Sequence, residues 1–400
     1  MASRRRVPHT SSNPLEGIGR HIPLPIAVPD WSKPIILALL LLATWFGIRS
    51  RMAARRARRL EQQRVGLLAD VGAMQAALVP EVPAHVGGLA VSVAYRPAEG
   101  PAAGGDFYDL FVPEAGKVAI MLGDVAGHGH EALKHAALTR YTLRAYLQAG
   151  LEPRTALALA GRVLLDPTGE RYATVAVGVY DTRSSTLTYA LAGHPPPILL
   201  GFDTPEPLTI CSSPPVGWGL PTGRRQTTVS LPAGAEACFF SDGLIEARSK
   251  GELLGRDRLS AILAGLGPRP QATDLLAKVR AESQGAPDDM VACVLSPESA
   301  GVGVGRIRVE ELEVDTRALR GGEVSRFLDQ CEVPRQEIVR TIELASEIAA
   351  ACTTALLRVE CGPNGGRVTA SASDSSTPTH AIARREEPGN RALLRALAAG

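Results

Sequence analysis

Four aspartates in this 400-residue chain have the type and setting to do chemistry. Asp106 follows Gly104-Gly105, Asp124 follows Gly123, Asp242 precedes Gly243, and Asp288 stands beside a second acid, Asp289. Each sits where an apolar run meets a turn. One aspartate beside a glycine is ordinarily only a turn signal. Four at the ends of strand-like runs can converge on one sheet edge. Convergent carboxylates repel one another and do not stay ionised together without cations. An oxygen-only donor set suits magnesium or manganese rather than zinc. Two such ions ~3.5–4 Å apart can hold and acidify a water and clamp a phosphoryl oxygen, which is phosphoester hydrolysis. The adjacent glycines let backbone and substrate approach closely.

The elements that must position these acids are mixed. Leu89, Val91, Val93 and Tyr95 alternate as a half-buried strand does. Lys117–Leu122, Tyr172–Tyr180, Thr186–Ala192, Glu236–Phe240 and Met290–Leu295 read as further strands, and His130–Gln148 as a helix. Strands dominate and are joined mostly by turns, so the expected core is antiparallel sheet flanked by helices. The run Gly301-Val302-Gly303-Val304-Gly305 lacks the strand–turn–helix setting of a dinucleotide loop and reads as a linker.

Upstream, residues 1–30 read as a flexible basic arm. Ile35–Ile48 is fourteen residues without a charge, and Trp31 and Trp45 stand near its ends. Six arginines follow between Arg49 and Arg59, the flank expected on the cytoplasmic side of a membrane. Residues 31–49 are therefore expected to be a single-pass anchor of the cell membrane, with the bulk of the chain cytoplasmic; a buried or interfacial helix is the rival. Residues 50–80 read as a helical linker in which Leu60, Leu67 and Met74 recur every seven residues. That spacing suits a short coiled coil joining two copies, or one amphipathic helix lying on the next domain. Pro80 and Pro83 end it.

The motifs also carry a resemblance. GGDFYD, GDVAGHG eighteen residues after its Asp106, AGHPPP (Ala192–Pro197), FFSDGLIEA (Phe239–Ala247) and DDMVACVL (Asp288–Leu295) resemble, in order and spacing, the bacterial SpoIIE/RsbU-type branch of the metal-dependent protein serine/threonine phosphatases, the PPM family. The resemblance covers residues 81–297. It implies an α+β fold, an α-β-β-α sandwich with a two-metal site between the sheets. Asp106, Asp124, Asp242 and Asp288 would be the ligands of two Mn2+ or Mg2+ ions, Asp124 bridging, with the Val125 carbonyl completing one shell. Asp289 is the second choice for the last position, and Asp109 a structural or supporting acid. A bridging hydroxide would attack phosphorus in line, with no phosphoenzyme. Family members ligate metal with aspartate, so His128 is expected to position its loop or aid proton transfer, and a ligand role is not expected of His130. His194 marks a structural turn near the site. Arg96, ahead of GGDFYD, could face the substrate phosphate. Cys238 and Cys293 lie in apolar runs and read as core.

Residues 298–306 read as a linker and 307–400 as a separate small α/β unit. Its order is Val324–Leu328, a helix Arg335–Leu357, strands Leu356–Cys361 and Arg367–Ser373, and a helix Asn390–Ala398. That order resembles the GHKL ATPase fold, most of all the anti-sigma-factor kinases. The family's magnesium-binding Asn falls on Ala351, four residues after Glu347, and its adenine box reads Asp374-Ser375-Ser376 without the glycine. The unit is therefore expected to be degenerate, unable to hold magnesium–ATP, and to serve binding or dimer contact.

Composition sets the limits. Hydrophobic residues are 45% and charged residues 21%, a globular balance. Six scattered cysteines without a C-x-x-C pair argue against a disulfide scaffold or zinc ribbon. The net charge of +2 joins a basic segment 1–64, at +9, to an acidic remainder at −7. The basic part suits an anionic membrane, and no nucleic-acid partner is expected. Together these features point to a membrane-anchored phosphatase acting on phosphoserine or phosphothreonine of a regulatory partner, by the resemblance a STAS-type anti-sigma-factor antagonist. The rival is a catalytically inactive membrane-anchored scaffold of the same fold.

Overall fold

The computed structural model describes residues 38–52, 55, 78–97, 105–166, 168–201, 207, 213–249, 251–283, 288–298, 308–362 and 365–373. The chain divides into two units, 1–67 and 68–400. In the first, residues 38–52 are helical and their side chains, Leu39 to Leu42, Trp45, Phe46 and Ile48 among them, are exposed. Arg49 lies 5.4 Å from the Trp45 ring centroid. Among the described residues no helix is long and apolar enough to cross a membrane. The remainder of the expected anchor, the basic arm and most of the heptad segment lie outside the described residues.

The second unit is built on two sheets. A five-stranded sheet has the order β1-β2-β12-β9-β7, with β1 His85–Val86, β2 Leu89–Arg96, β7 Ile198–Leu200, β9 Glu236–Phe240 and β12 Met290–Pro297. An eight-stranded sheet has the order β15-β14-β13-β8-β6-β5-β4-β3. Its strands are β3 Phe107–Phe111, β4 Lys117–Val125, β5 Ala173–Asp181, β6 Thr186–Ala192, β8 Arg225–Ser230, β13 Arg308–Asp315, β14 Thr354–Gly362 and β15 Gly365–Ala372. Two short strands, β10 Arg248–Ser249 and β11 Glu252–Leu253, pair with each other, and all named pairings are antiparallel. Central strands such as β4 read as unbroken apolar runs because both their faces are covered.

Three apolar layers follow. Between the sheets, Leu89, Val91, Phe239, Val291 and Cys293 meet Leu110, Ile120, Leu122, Ala176 and Leu187. On the outer face of the larger sheet lie α1 (His130–Gln148) and α2 (Pro153–Val163), which bury Leu133, Leu143 and Leu157 against Met121 and Val177. Pro153 opens α2, where its missing N–H costs nothing. On the outer face of the smaller sheet, α3 (Gly243–Glu246), α4 (Gly255–Ala264) and α5 (Ala272–Glu282) bury Leu259, Leu275 and Val279 against Phe240 and Val294. This is the expected four-layer order. The short motif FYDLF, which the sequence reading gave to no element, forms strand β3.

The C-terminal unit differs from its expected separateness. Its first strand, β13, pairs along β8, from Arg308 opposite Val229 to Leu312 opposite Arg225. The physical reason is β8 itself, which would otherwise be an open edge bearing polar side chains that need partners. Thr227 donates to Glu310 at 2.6 Å and Gln226 to Glu311 at 3.0 Å. The helices α6 (Thr316–Arg320), α7 (Glu323–Gln330) and α8 (Arg335–Cys352) bury Phe327, Ile338 and Ile348 against Leu312, Val314 and Leu357. Leu312 shares a face with Glu310, which reaches Thr227 opposite Tyr189 of the inter-sheet core. These helices therefore cover the same sheet face as the five-stranded sheet does. Strands β14 and β15 stand close to where the sequence reads them, while helix α8 ends at Cys352, short of the expected Leu357, because β14 begins at Thr354. The adenine box and the helix at Asn390–Ala398 lie outside the described residues.

Candidate active site

The register brings the acids together. Phe107 opposes Gly123, so Asp106 stands across from Asp124, and the contact of Val125 N with Gly105 O at 3.3 Å continues the ladder. In the other sheet Ala292 opposes Phe240, and Ser241 N donates to Val291 O at 3.0 Å. That places Asp242 and Gly243 beside Asp288 and Asp289, where β9 and β12 meet. The two sheets thus present their acids at one mouth.

The acids sense one another across it. Asp106 is 3% exposed; burial pushes its carboxyl well above the usual carboxylate range, and Asp124, Asp289 and Asp242 add to the push. Burial, then Asp242, Asp288 and Asp289, raise Asp124 to about 7. Burial, then Glu246 and Asp288, raise Asp242. Asp106 Oδ2 is buried without a hydrogen-bond partner. Among the described residues no three His, Cys, Asp or Glu side chains close into a finished ligand cage. The mouth is a rim of mutually repelling oxygens, and each repulsion is relieved by a hard cation. The glycines complete the cradle. A Cβ on Gly105 would lie 2.4 Å from Val125 O and 2.9 Å from Asp124 Oδ1, and one on Gly243 only 2.1 Å from Asp289 O. The donor chemistry of these carboxylates suits hard divalent cations, and the glycines keep the space between them free of side chains.

Asp288 and Asp289 have distinct places. Asp288 is exposed, and its Oδ1 accepts from Asp289 N at 2.8 Å. Asp289 is buried and accepts from Tyr95 Oη at 3.0 Å. Sequence reasoning missed Tyr95 and Ser241. Ser241 Oγ accepts from Val291 N at 3.0 Å, lies 3.3 Å from Asp289 O, and its hydrogen bond favours the ionised Asp106. The available signals were a serine directly before Asp242 and a tyrosine closing the alternation of β2. Glu246, one turn past Asp242, was missed as well.

The remaining candidates are placed as follows. Asp109 is buried and ion-paired with Arg140 at 3.0 Å and Arg144 at 2.8 Å, so it ties β3 to α1. His128 and His130 are exposed on the turn that opens α1. His194 is buried, 3.0 Å from both Thr174 Oγ1 and Phe240 O. A carbonyl only accepts, so Nε2 carries the proton and Nδ1 accepts from Thr174. The imidazole thus bolts β5, opposite Asp124, to β9, two residues before Asp242. Burial pushes it down to about 4 and keeps it neutral. Arg96 ends β2 opposite Met290, and its Nε is buried without a partner. Cys238 and Cys293 are core thiols; burial pushes Cys238 up to about 12 and raises Cys293.

Residues 114–298 match the family described as Stage II sporulation protein E, SpoIIE. The matched stretch is just under half of the chain and contains Asp124, Asp242 and Asp288. The chain is also similar to Protein IcfG of Synechocystis, 24% identical over 216 residues, which are 46% of this chain and 34% of that protein. The chain thus spans about a third of the curated relative's length. Among solved structures, the SiaA PP2C domain of Pseudomonas aeruginosa is 20% identical, with a TM-score of 0.50, over 59% of this chain and 98% of that one. The RsbU and RsbW domains of a Mycobacterium tuberculosis protein are 24% identical, with a TM-score of 0.45, over 72% of this chain and 86% of that one. The SiaA likeness gives the SpoIIE-type domain the PP2C fold, in keeping with its two sheets and flanking helices.

Proposed function

We propose that this chain hydrolyses phosphoserine or phosphothreonine on a regulatory protein with the help of two divalent cations, manganese or magnesium. The observation that carries this reading is the charge frustration at the mouth. Carboxyls from two sheets raise one another's proton affinity there, while a buried Asp106 oxygen is left without a partner. Asp106, Asp124, Asp242 and Asp288 would hold the ions, with the Val125 carbonyl. Bound there, they supply charge stabilisation at the phosphoryl group and an activated water. The protein's own part is positional. Ser241 and Tyr95 fix Asp106 and Asp289, His194 fixes the spacing of the two sheets, and Arg96 offers a cation to the phosphoryl oxygens.

In the test, the full chain hydrolyses p-nitrophenyl phosphate with manganese present, and either Asp124→Ala or Asp242→Ala abolishes turnover. Turnover indifferent to chelator, or surviving both substitutions, sinks the two-metal reading.

The partner favoured by the motif resemblance is a STAS-type anti-sigma-factor antagonist, and the C-terminal unit, with Ala351 in place of a magnesium-binding Asn, serves contact rather than ATP binding. The exposed apolar helix at 38–52, followed by Arg55 and further arginines, supports a single-pass membrane anchor with the catalytic domain cytoplasmic. The chain should stay with membranes through alkaline carbonate washing and lose them on deletion of residues 1–50. Release by salt alone would assign a peripheral, arginine-mediated attachment.

A further inference from the structure

Beside the acid mouth lies an apolar surface that the reaction itself does not use. Trp218 is 51% exposed, and its ring stacks on Tyr172 at 5.5 Å between centroids and 22° between planes. Tyr172 O accepts from Ala126 N at 3.0 Å, and Ala126 is two residues past Asp124. One stacked pair and one hydrogen bond therefore join Trp218 to the loop that carries the central acid. Leu220, two residues further on, and Leu165 are 58% and 52% exposed. Leu165, Gly219, Leu220 and Arg162 border a cavity of about 320 Å³.

The loop that presents this surface is seated rigidly. Val216 pairs with Ala173 through two hydrogen bonds of 2.9 Å. Thr222 Oγ1 donates to Pro214 O at 2.6 Å, and Arg224 N donates to Ser213 Oγ at 3.2 Å. Gly223, at φ +70°, lies so close to α2 that a Cβ there would meet Arg154 O at 2.3 Å. Large apolar side chains held outward on a rigid loop have no folding role that explains their exposure. Such residues, tryptophan above all, anchor protein interfaces.

Charge decides what kind of partner fits. Asp166 accepts from the backbone N–H of Arg171 at 2.9 Å, and Glu313 and Asp315 at the cavity are ion-paired with Arg154 at 2.6 Å and Arg224 at 3.5 Å. Charges of both signs stand there, so the surface carries no cluster of one sign to read an acidic or basic sequence. We infer that Trp218 and Leu220 are a substrate-docking site, which selects a phosphoprotein carrying aliphatic or aromatic residues near its phosphorylated serine or threonine. The inference rests on the phosphatase reading and adds the determinant of specificity. Trp218 and Leu220 are positioning residues and touch no reacting atom.

The test uses three fluorescent peptides bearing a non-hydrolysable phosphonate analogue of phosphoserine, flanked by leucines, by glutamates or by serines. Binding to the full chain with manganese present is followed by anisotropy. The leucine peptide should bind about tenfold tighter than the other two, a difference of ~1.4 kcal/mol. That preference should vanish in Trp218→Ala and in the half-exposed Leu220→Ser, and return in Trp218→Phe, which keeps a stacking ring. Turnover of p-nitrophenyl phosphate, too small to reach the patch, should be unchanged in all three variants. Equal affinity for the three peptides, or a leucine preference kept by both Trp218→Ala and Leu220→Ser, overturns the docking site. A change of oligomeric state in Trp218→Ala also overturns it and assigns the face to a second copy. Wild-type protein that fails to hydrolyse p-nitrophenyl phosphate overturns the phosphatase reading instead, and the peptide preference is decided independently of it.

Discussion

At the scale of single residues, His194 links chemistry to stability. Its ring sits between Thr174 and Phe240 as a neutral group, pushed down to about 4 by burial against an ordinary value of 6.5. Between those values the unfolded chain binds the proton and the folded one does not. The stability this histidine contributes is therefore complete above pH 6.5 and is lost as pH falls toward 4, a loss of a few kcal/mol when complete. Melting temperature should drop over that window. His194→Gln, whose amide can still donate to Phe240 O but does not titrate, should flatten the drop. An unchanged slope in the variant would place the acid sensitivity elsewhere.

Elements position the acids through close backbone approach. Strand β12 enters the site beside Gly243, the first residue of α3, where a Cβ would sit 2.1 Å from Asp289 O. Backbone atoms on both sides leave no side chain to move away. Gly243→Ala should separate β9 from β12, displace Asp242 and Asp288 together, and destabilise the fold by roughly 1–3 kcal/mol, the range of overpacking substitutions. Manganese-dependent turnover should fall more than urea stability does. Full activity in this variant would show that the contact is slack. The Asp109 pairs act elsewhere, locking α1 to β3 behind the site.

At the scale of the whole molecule, the continuity of the larger sheet matters most. Strand β13 closes the edge of β8 and carries β14 and β15 with it. A chain truncated after Pro297 would expose that edge together with Gln226 and Thr227, whose partners Glu311 and Glu310 would be gone. It should melt several degrees lower and self-associate in sedimentation, and yet keep the acid mouth. A truncated chain as stable and monodisperse as the full one would show β13 to be dispensable.

Strand identity and the candidate aspartates were legible in the sequence because both are local. Alternation along β2, unbroken apolar runs in β4 and β12, and an acid at each run's end are patterns of neighbours in the chain. Helices α2, α4 and α5 escaped, since short alanine-rich or weakly amphipathic stretches give little periodic contrast. Asp109 and Asp106 belong to one motif, yet β3 turns one toward two arginines and leaves the other's Oδ2 unpartnered. Only register could separate them. Register likewise brought Tyr95 to Asp289, His194 between the sheets, and β13 to β8. The sequence by itself determined which side chains can do the chemistry and which runs fold as strands. The tertiary structure decided which acids share a mouth, what holds them there and where the catalytic sheet ends. Those outcomes depend on pairings between residues far apart in the chain, whose partners no local pattern specifies.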